Sequence, residues 1–360
     1  MTTTAAPTGI TNSLTTGRLP KWAPWVLLGA SWAIMIVVFA ILAAATGDGF
    51  NLVASIFLGT VLFDILLFAI AYLVEGARQA KNRLVTSLVS TAFIIALLPL
   101  VSLLGTVLSR GLARFDLEFF TFSMRNIVGE GGGGLHAIIG TLEITGMAAL
   151  ISIPIGLLTA IYLVEYGRGA LARAITFFVD VMTGIPSIVA GLFAFAFFSL
   201  VFHDAGIRFG FGGSVALSLL MIPVVVRSTE EMLKLVPNEL REASYALGVP
   251  KWLTILKIVI PTSLAGIATG VTLSISRVIG ETAPLLIIAG FTQSMNYDLF
   301  KGQIMSLPVF LFSQYSNPGS DAQAYIDRAW TSALTLILIV MLLNLVARLI
   351  AKIFSPKLGR

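Results

Sequence analysis

Eight stretches of this chain are apolar over roughly the length a helix needs to cross a bilayer, about 20 residues. They lie near residues 22–46, 51–74, 84–108, 136–164, 174–201, 213–229, 259–291 and 330–352. Such runs admit few folds. In hydrocarbon every backbone N–H and C=O must be paired within the chain, so continuous apolar segments become helices. Composition points the same way: 57 % of residues are hydrophobic and only 11 % are charged, against about a quarter charged in soluble domains. The expectation is an all-α polytopic membrane protein with about eight transmembrane helices.

The flanks of these runs set orientation. With the N-terminus inside and the spans alternating, 16 of the 23 Lys and Arg residues fall on the inner side and 6 on the outer side. Cytoplasmic loops collect basic residues, so both termini are expected in the cytoplasm. Arg277 alone lies inside a span. The net charge of +5 is therefore a statement about topology, and no nucleic-acid partner is expected. Residues 1–21 are Thr-rich and polar and read as a disordered cytoplasmic tail. The first run ends in Ala43-Ala44-Ala45, a weak likeness to a signal-peptidase site. It exceeds the roughly 7–15 apolar residues of a signal peptide, so it reads as a retained span.

Several function classes drop out. There is no Cys, hence no disulfide, thiol nucleophile or cysteine-bound metal. The only histidines, His136 and His203, sit at span ends, so neither a metal site nor a cofactor is expected. No Gly-Lys-Ser/Thr occurs, so no phosphate-binding loop for ATP is present, and any ATP would be hydrolysed by another chain. The glycine run 131–134 lacks the lysine and preceding strand of such a loop and reads as a flexible external loop.

The cytoplasmic segment 228–261 carries more information. Leu240, Ala243, Ala246 and Leu247 recur at helical spacing. Asn238 can cap this helix, with Glu239 and Glu242 in its first turns. Gly248 and Pro250 end it. Spacing alone leaves two readings open, a docking helix for a soluble partner or a helix resting on the membrane. Glu242-Ala243-Ser244, then Gly248, Ile258 and Pro261 resemble the Glu-Ala-Ala loop of ABC importer permeases, with Ser244 for the second alanine and Ile260 for leucine. That resemblance implies a coupling helix, carrying Glu242, Ala243, Ser244 and Gly248, that docks on an ATPase subunit.

A second feature is SRVIGETAPLLI, residues 276–287. Arg at mid-bilayer costs about 2.5–3.5 kcal/mol on insertion scales, so intramembrane ions suggest function. Arg277 and Glu281 are four apart, which would place them on one helical face, as a buried salt bridge or as part of a transport path. Gly280 and Pro284 can break the helix between them and their surroundings. Glu143, with Thr141, is a second polar position within a span. Asp180 lies seven residues from Arg173 and reads as a solvated helix end.

Ser276-Arg277 followed by Gly280-Glu281-Thr282-Ala283-Pro284-Leu285 is similar to the signature of PstA-type permeases of the phosphate-specific importer. The run Gly184 to Phe193 and the stretch Tyr162 to Tyr166 fit the same pattern. The resemblance covers roughly residues 84–355. It implies a six-helix, MetI-like type I permease core over 84–355. The two-helix hairpin and basic linker over 22–83, read from composition, depart from that core. The resemblance further implies a bacterial plasma-membrane location and a substrate path past Arg277, Glu281, Thr282 and Glu143. The implied partners are a PstC-like permease, a PstB-like ATPase dimer, a PstS-like phosphate-binding protein outside, and membrane lipid. A permease for sulfate or molybdate would keep the coupling loop but is not expected to keep Gly280 to Pro284. A secondary transporter would need no such loop.

Overall fold

The computed structural model describes residues 17, 19–46 and 49–354. Most of the polar tail, together with Arg18, Lys357 and Arg360 of the orientation argument, lies outside the described residues. Among the described residues there is no strand. Seven helices are long and apolar enough to cross a membrane, or eight if one bent pair counts as a span, matching the expected all-α membrane fold. The chain divides into two compact units, with the boundary between Leu103 and Leu104.

The first unit holds α1 (Ala23–Thr46), α2 (Leu52–Glu75) and most of α3 (Ala77–Gly111). Asn51 caps α2, its Oδ1 accepting from Ala54 N at 2.9 Å. Gly59 of α2 packs on α1 so closely that a Cβ there would meet Trp32 Cδ1 at 2.7 Å. Small residues bring membrane helices together in this way. Residues 75–83, expected as a polar connection, are almost wholly helical, because only Gly76, at φ +87°, separates α2 from α3. The basic residues there fold back: Arg83 donates from Nε (2.5 Å) and Nη2 (2.8 Å) to the Glu75 carboxylate. Asp64, the one acid within this hairpin, is buried and accepts a 2.5 Å bond from Ser87 Oγ of α3.

The second unit contains α4 (Leu117–Thr121), α5 (Leu135–Ile161), α6 (Gly169–Thr183), α7 (Ser187–Phe202) and α8 (Gly210–Lys234). It continues with α9 (Asn238–Ala246), α10 (Lys251–Thr254), α11 (Ile260–Val278), α12 (Ala283–Ile288), α13 (Leu307–Ser316) and α14 (Ala322–Phe354). Helices α5 and α8 form its centre. Gly156 lets Val225 approach to within 2.6 Å of where a Cβ would stand, and Ile144, Leu217, Met221 and Val225 are wholly buried. Pro154 and Pro223 sit inside these two helices without ending them.

Three expectations are corrected here. The apolar run 174–201 is two helices, α6 and α7, bent by 109° at Gly184–Pro186. Proline disfavours helical geometry at the residue before it, and at Ile185-Pro186 the run breaks although it is apolar throughout. The segment 292–328, whose turn formers Asn296, Asp298, Asn317, Pro318 and Asp321 suggest a solvated loop, is no such simple loop. Residues 304–310 are buried, and α13 packs against α14 and α5. Leu307 N donates to Thr141 Oγ1 at 2.7 Å, and a Cβ on Gly140 would stand 2.1 Å from Met305 O. The glycine run 131–134 is packed rather than loose. Gly132 to Gly134 are buried, and a Cβ on Gly133 would stand 2.5 Å from Phe119 O. Arg328, one of the six basic residues counted on the outer side, is fully buried: Nε donates to Gln314 Oε1 (2.9 Å) and Nη1 to the carbonyls of Gly129 (2.7 Å) and Gly131 (3.0 Å).

Candidate functional site

Helix α11 reaches its end at Val278, with Ile279 N still bonded to Ile275 O and Glu281 N to Val278 O. Gly280 to Thr282 are not helical, and α12 restarts at Ala283 with Pro284 in its first turn. A proline there gives up an N–H that would have no helical partner anyway. The short α12 is wedged into the unit. Leu285, Ile288 and Ala289 are buried, and Gly191 of α7 touches Pro284. The helix that restarts after this break, α12, thus runs beside the first turns of α7.

This geometry changes the reading of Arg277 and Glu281. They do not share a helical face, because the helix ends between them. Among the described residues neither forms an ion pair, so the buried salt bridge is absent. Arg277 is exposed, while Glu281 and Thr282 are half-buried. A guanidinium not engaged by a carboxylate keeps its planar fork of donors for an oxyanion. Beside it, Ser276 Oγ accepts from Asn344 Nδ2 of α14 at 3.2 Å. Sequence reasoning passed over Asn344, though it is the only amide in the apolar run of α14 after Gln323.

Glu143 stands on α5, half-buried, with Oε2 buried and without a hydrogen-bond partner among the described residues. No hydrogen bond or ion pair among those residues joins it to Arg277, Glu281 or Thr282. Thr141 belongs to packing, since its hydroxyl donates to Ala137 O and accepts from Leu307 N. Asp180 is not simply solvated: it pairs with Arg227 of α8, which pairs with Glu230 at 2.8 Å, which pairs with Lys234 at 2.7 Å.

The segment 228–261 builds a second surface. Pro237, rather than Asn238, occupies the cap position of α9, and the Asn238 side chain instead accepts from Arg241. At the other end Gly248 adopts φ +76°, Gly248 N bonds Tyr245 O at 2.9 Å, and Val249 N reaches back to Ser244 O at 3.2 Å. This left-handed turn is the reason for glycine. Ser244 is buried, its hydroxyl 2.8 Å from Thr254 Oγ1, so it ties α9 to α10. Glu242 and Ala243 are exposed, and Leu247 is 84 % exposed.

Comparison with known proteins places the chain in a class. Residues 152–360, more than half of it, match the family of binding-protein-dependent transport system inner membrane components, and the chain belongs to that family. It is therefore a multi-pass permease of an importer. Its fold resembles that of the MetNI methionine ABC transporter, with a TM-score of 0.51 at 21 % identity over 62 % of this chain and 96 % of the other. Within the family the likeness is specific. The chain is 49 % identical over 278 residues to the phosphate transport system permease protein PstA 1 of Mycobacterium tuberculosis, covering 76 % of this chain and 89 % of the relative. It is 40 % identical over 282 residues to the phosphate transport system permease protein PstA of Pasteurella multocida, covering 78 % and 96 %.

Proposed function

We propose that this chain is a permease subunit of an ATP-driven importer of inorganic phosphate, forming half of the translocation pathway. The observation that carries the reading is the broken helix at Gly280–Thr282, which leaves Arg277 and Glu281 unpaired among the described residues, in a chain whose relatives are phosphate permeases. Arg277 attracts the oxyanion. Phosphate near neutral pH still carries a P–OH group, whose hydrogen bond a carboxylate can accept, whereas sulfate carries none. Glu281 therefore favours phosphate, and Thr282 and Glu143 line the rest of the path.

The exposed face of α9, with Glu242, Ala243 and the turn at Gly248, docks on a PstB-like ATPase dimer, which supplies the hydrolysis site this chain lacks. A PstC-like permease completes the channel, and a PstS-like phosphate-binding protein delivers substrate from outside. Both termini lie in the cytoplasm of a bacterial cell. Residues 84–355 act as the permease core, and the hairpin over 22–83 anchors it in the lipid.

The test is labelled phosphate uptake in cells deleted for this chain and rescued with it. Restored uptake that excess sulfate leaves unchanged supports phosphate as the substrate. Uptake that sulfate or molybdate suppresses overturns it in favour of another oxyanion.

A further inference from the structure

Three spans converge on the coupling loop, and two basic residues, Arg241 and Lys251, tie them there. Helix α8 ends at Lys234, leaving terminal carbonyls without helical partners. Arg241, on α9, turns back onto them: Nη2 donates to Leu233 O at 2.9 Å and Nη1 to Val236 O at 2.6 Å. A cation at a helix C-terminus is favoured by the helix dipole. The same guanidinium donates from Nε (3.1 Å) and Nη2 (2.9 Å) to Glu165 Oε1, and from Nη1 to Asn238 Oδ1 at 3.3 Å. Those five bonds occupy all five of its N–H groups.

Glu165 lies in a π-helical turn, Tyr162–Tyr166, that prolongs α5 and closes with Gly167 N on Tyr162 O. A widened turn of this kind often marks a functional position. A second tie joins the same turn to the entry of α11: Lys251 Nζ donates to the Glu165 carbonyl and stands 4.7 Å from the centre of the Tyr166 ring. The side chains of Glu165 and Arg241 are only 5 % and 12 % exposed. Arg241 has no N–H left for a partner and both side chains are nearly buried, in contrast to the exposed Glu242 and Leu247.

We propose that Glu165, Arg241 and Lys251 are positioning residues that clamp the coupling helix to the ends of α5, α8 and α11, so that a push on α9 moves those spans as one body. This rests on the reading of 228–261 as the coupling loop. It divides the loop into a docking face and a transmitting face, and it gives the acidic residue of the α5 extension a task that the substrate path does not use.

The chain contains no cysteine, which makes the clamp directly testable in the whole importer reconstituted in vesicles. Three forms are compared: wild type, Glu165→Gln, and the pair Glu165→Cys with Arg241→Cys joined by a short reversible thiol cross-linker. The readouts are co-purification of the ATPase subunit, its ATP hydrolysis, and phosphate moved per ATP. The clamp predicts that Glu165→Gln still binds the ATPase and still allows hydrolysis, while phosphate moved per ATP falls at least tenfold. It also predicts that the open cysteine pair is equally uncoupled, and that cross-linking restores transport until the link is reduced.

Glu165→Gln with transport per ATP within twofold of wild type overturns the clamp. So does a cross-linked pair that stays silent while the ATPase is bound, because the contact must then open in the cycle. Loss of assembly in every variant, cross-linked included, makes the pair a folding requirement and equally overturns the proposal. ATPase that fails to follow even the wild-type chain overturns the coupling-loop reading itself, and the clamp with it.

Discussion

Gly191 on α7 and Pro284 on α12 are in backbone contact: a Cβ on Gly191 would stand 2.5 Å from Pro284 Cα and 3.1 Å from its carbonyl oxygen. The contact fixes the first turns of α7 against the helix that restarts after the break at Gly280–Thr282. Backbone cannot move aside as a flexible side chain can. Gly191→Ala is therefore expected to force the two helices apart, at the ~1–3 kcal/mol typical of overpacking. Thermal unfolding of the detergent-solubilised complex should show a lowered midpoint, and uptake should fall with it.

Thr141 provides a second check on the buried architecture. Its hydroxyl is the acceptor for Leu307 N, at the start of the buried α13. Thr141→Val keeps the shape and leaves that N–H unpaired in an apolar setting, which costs about 1–3 kcal/mol. Loss of stability of that order, measured by denaturation, is expected. An unchanged midpoint would mean that α13 is held by other contacts.

Gly248 is set by its backbone rather than by its surroundings. No atom stands within 4 Å of a Cβ added there, yet φ is +76°. Gly248→Ala should weaken the turn by about 1–2 kcal/mol, the left-handed penalty of an ordinary residue. Gly248→Asn should do less harm, since Asn tolerates this conformation. The readout is ATPase co-purification: Ala below Asn, and both below wild type.

These particulars show what was legible beforehand. The spans were, because a helix in lipid needs only length and apolarity. The coupling turn was, because Gly248 and Pro250 punctuate it. The break at Gly280 was visible as a possibility, but not its consequence. Whether Arg277 and Glu281 pair depends on where the helix stops, and four residues of spacing describe a pair only if it continues.

Helix α13 was hidden. It is ten residues long, far short of a span, and is bracketed by Asn296, Asp298, Asn317 and Pro318, the residues of an ordinary loop. Pro308 early in the run Leu307-Pro308-Val309-Phe310 was the available sign. Glycines 131–134 read as flexible because a sequence does not distinguish glycine used for freedom from glycine used for close packing. The burial of Arg328 was hidden for a related reason: two of its acceptors lie almost two hundred residues earlier, at Gly129 and Gly131.

On the proposed reading Glu281 sets selectivity: not paired with Arg277 among the described residues, its carboxylate would accept a hydrogen bond from the P–OH of phosphate. Glu281→Gln is expected to admit sulfate, seen as competition by excess sulfate that wild type resists. Uniformly weaker uptake of every anion, with sulfate still excluded, would assign Glu281 to holding Arg277 in place.

The most direct test is labelled phosphate uptake in deletion cells carrying Arg277→Ala at normal membrane levels. The account predicts that uptake is lost while the ATPase still co-purifies with the chain. Rescue equal to wild type would contradict it, and the anion path would then run elsewhere than past Arg277.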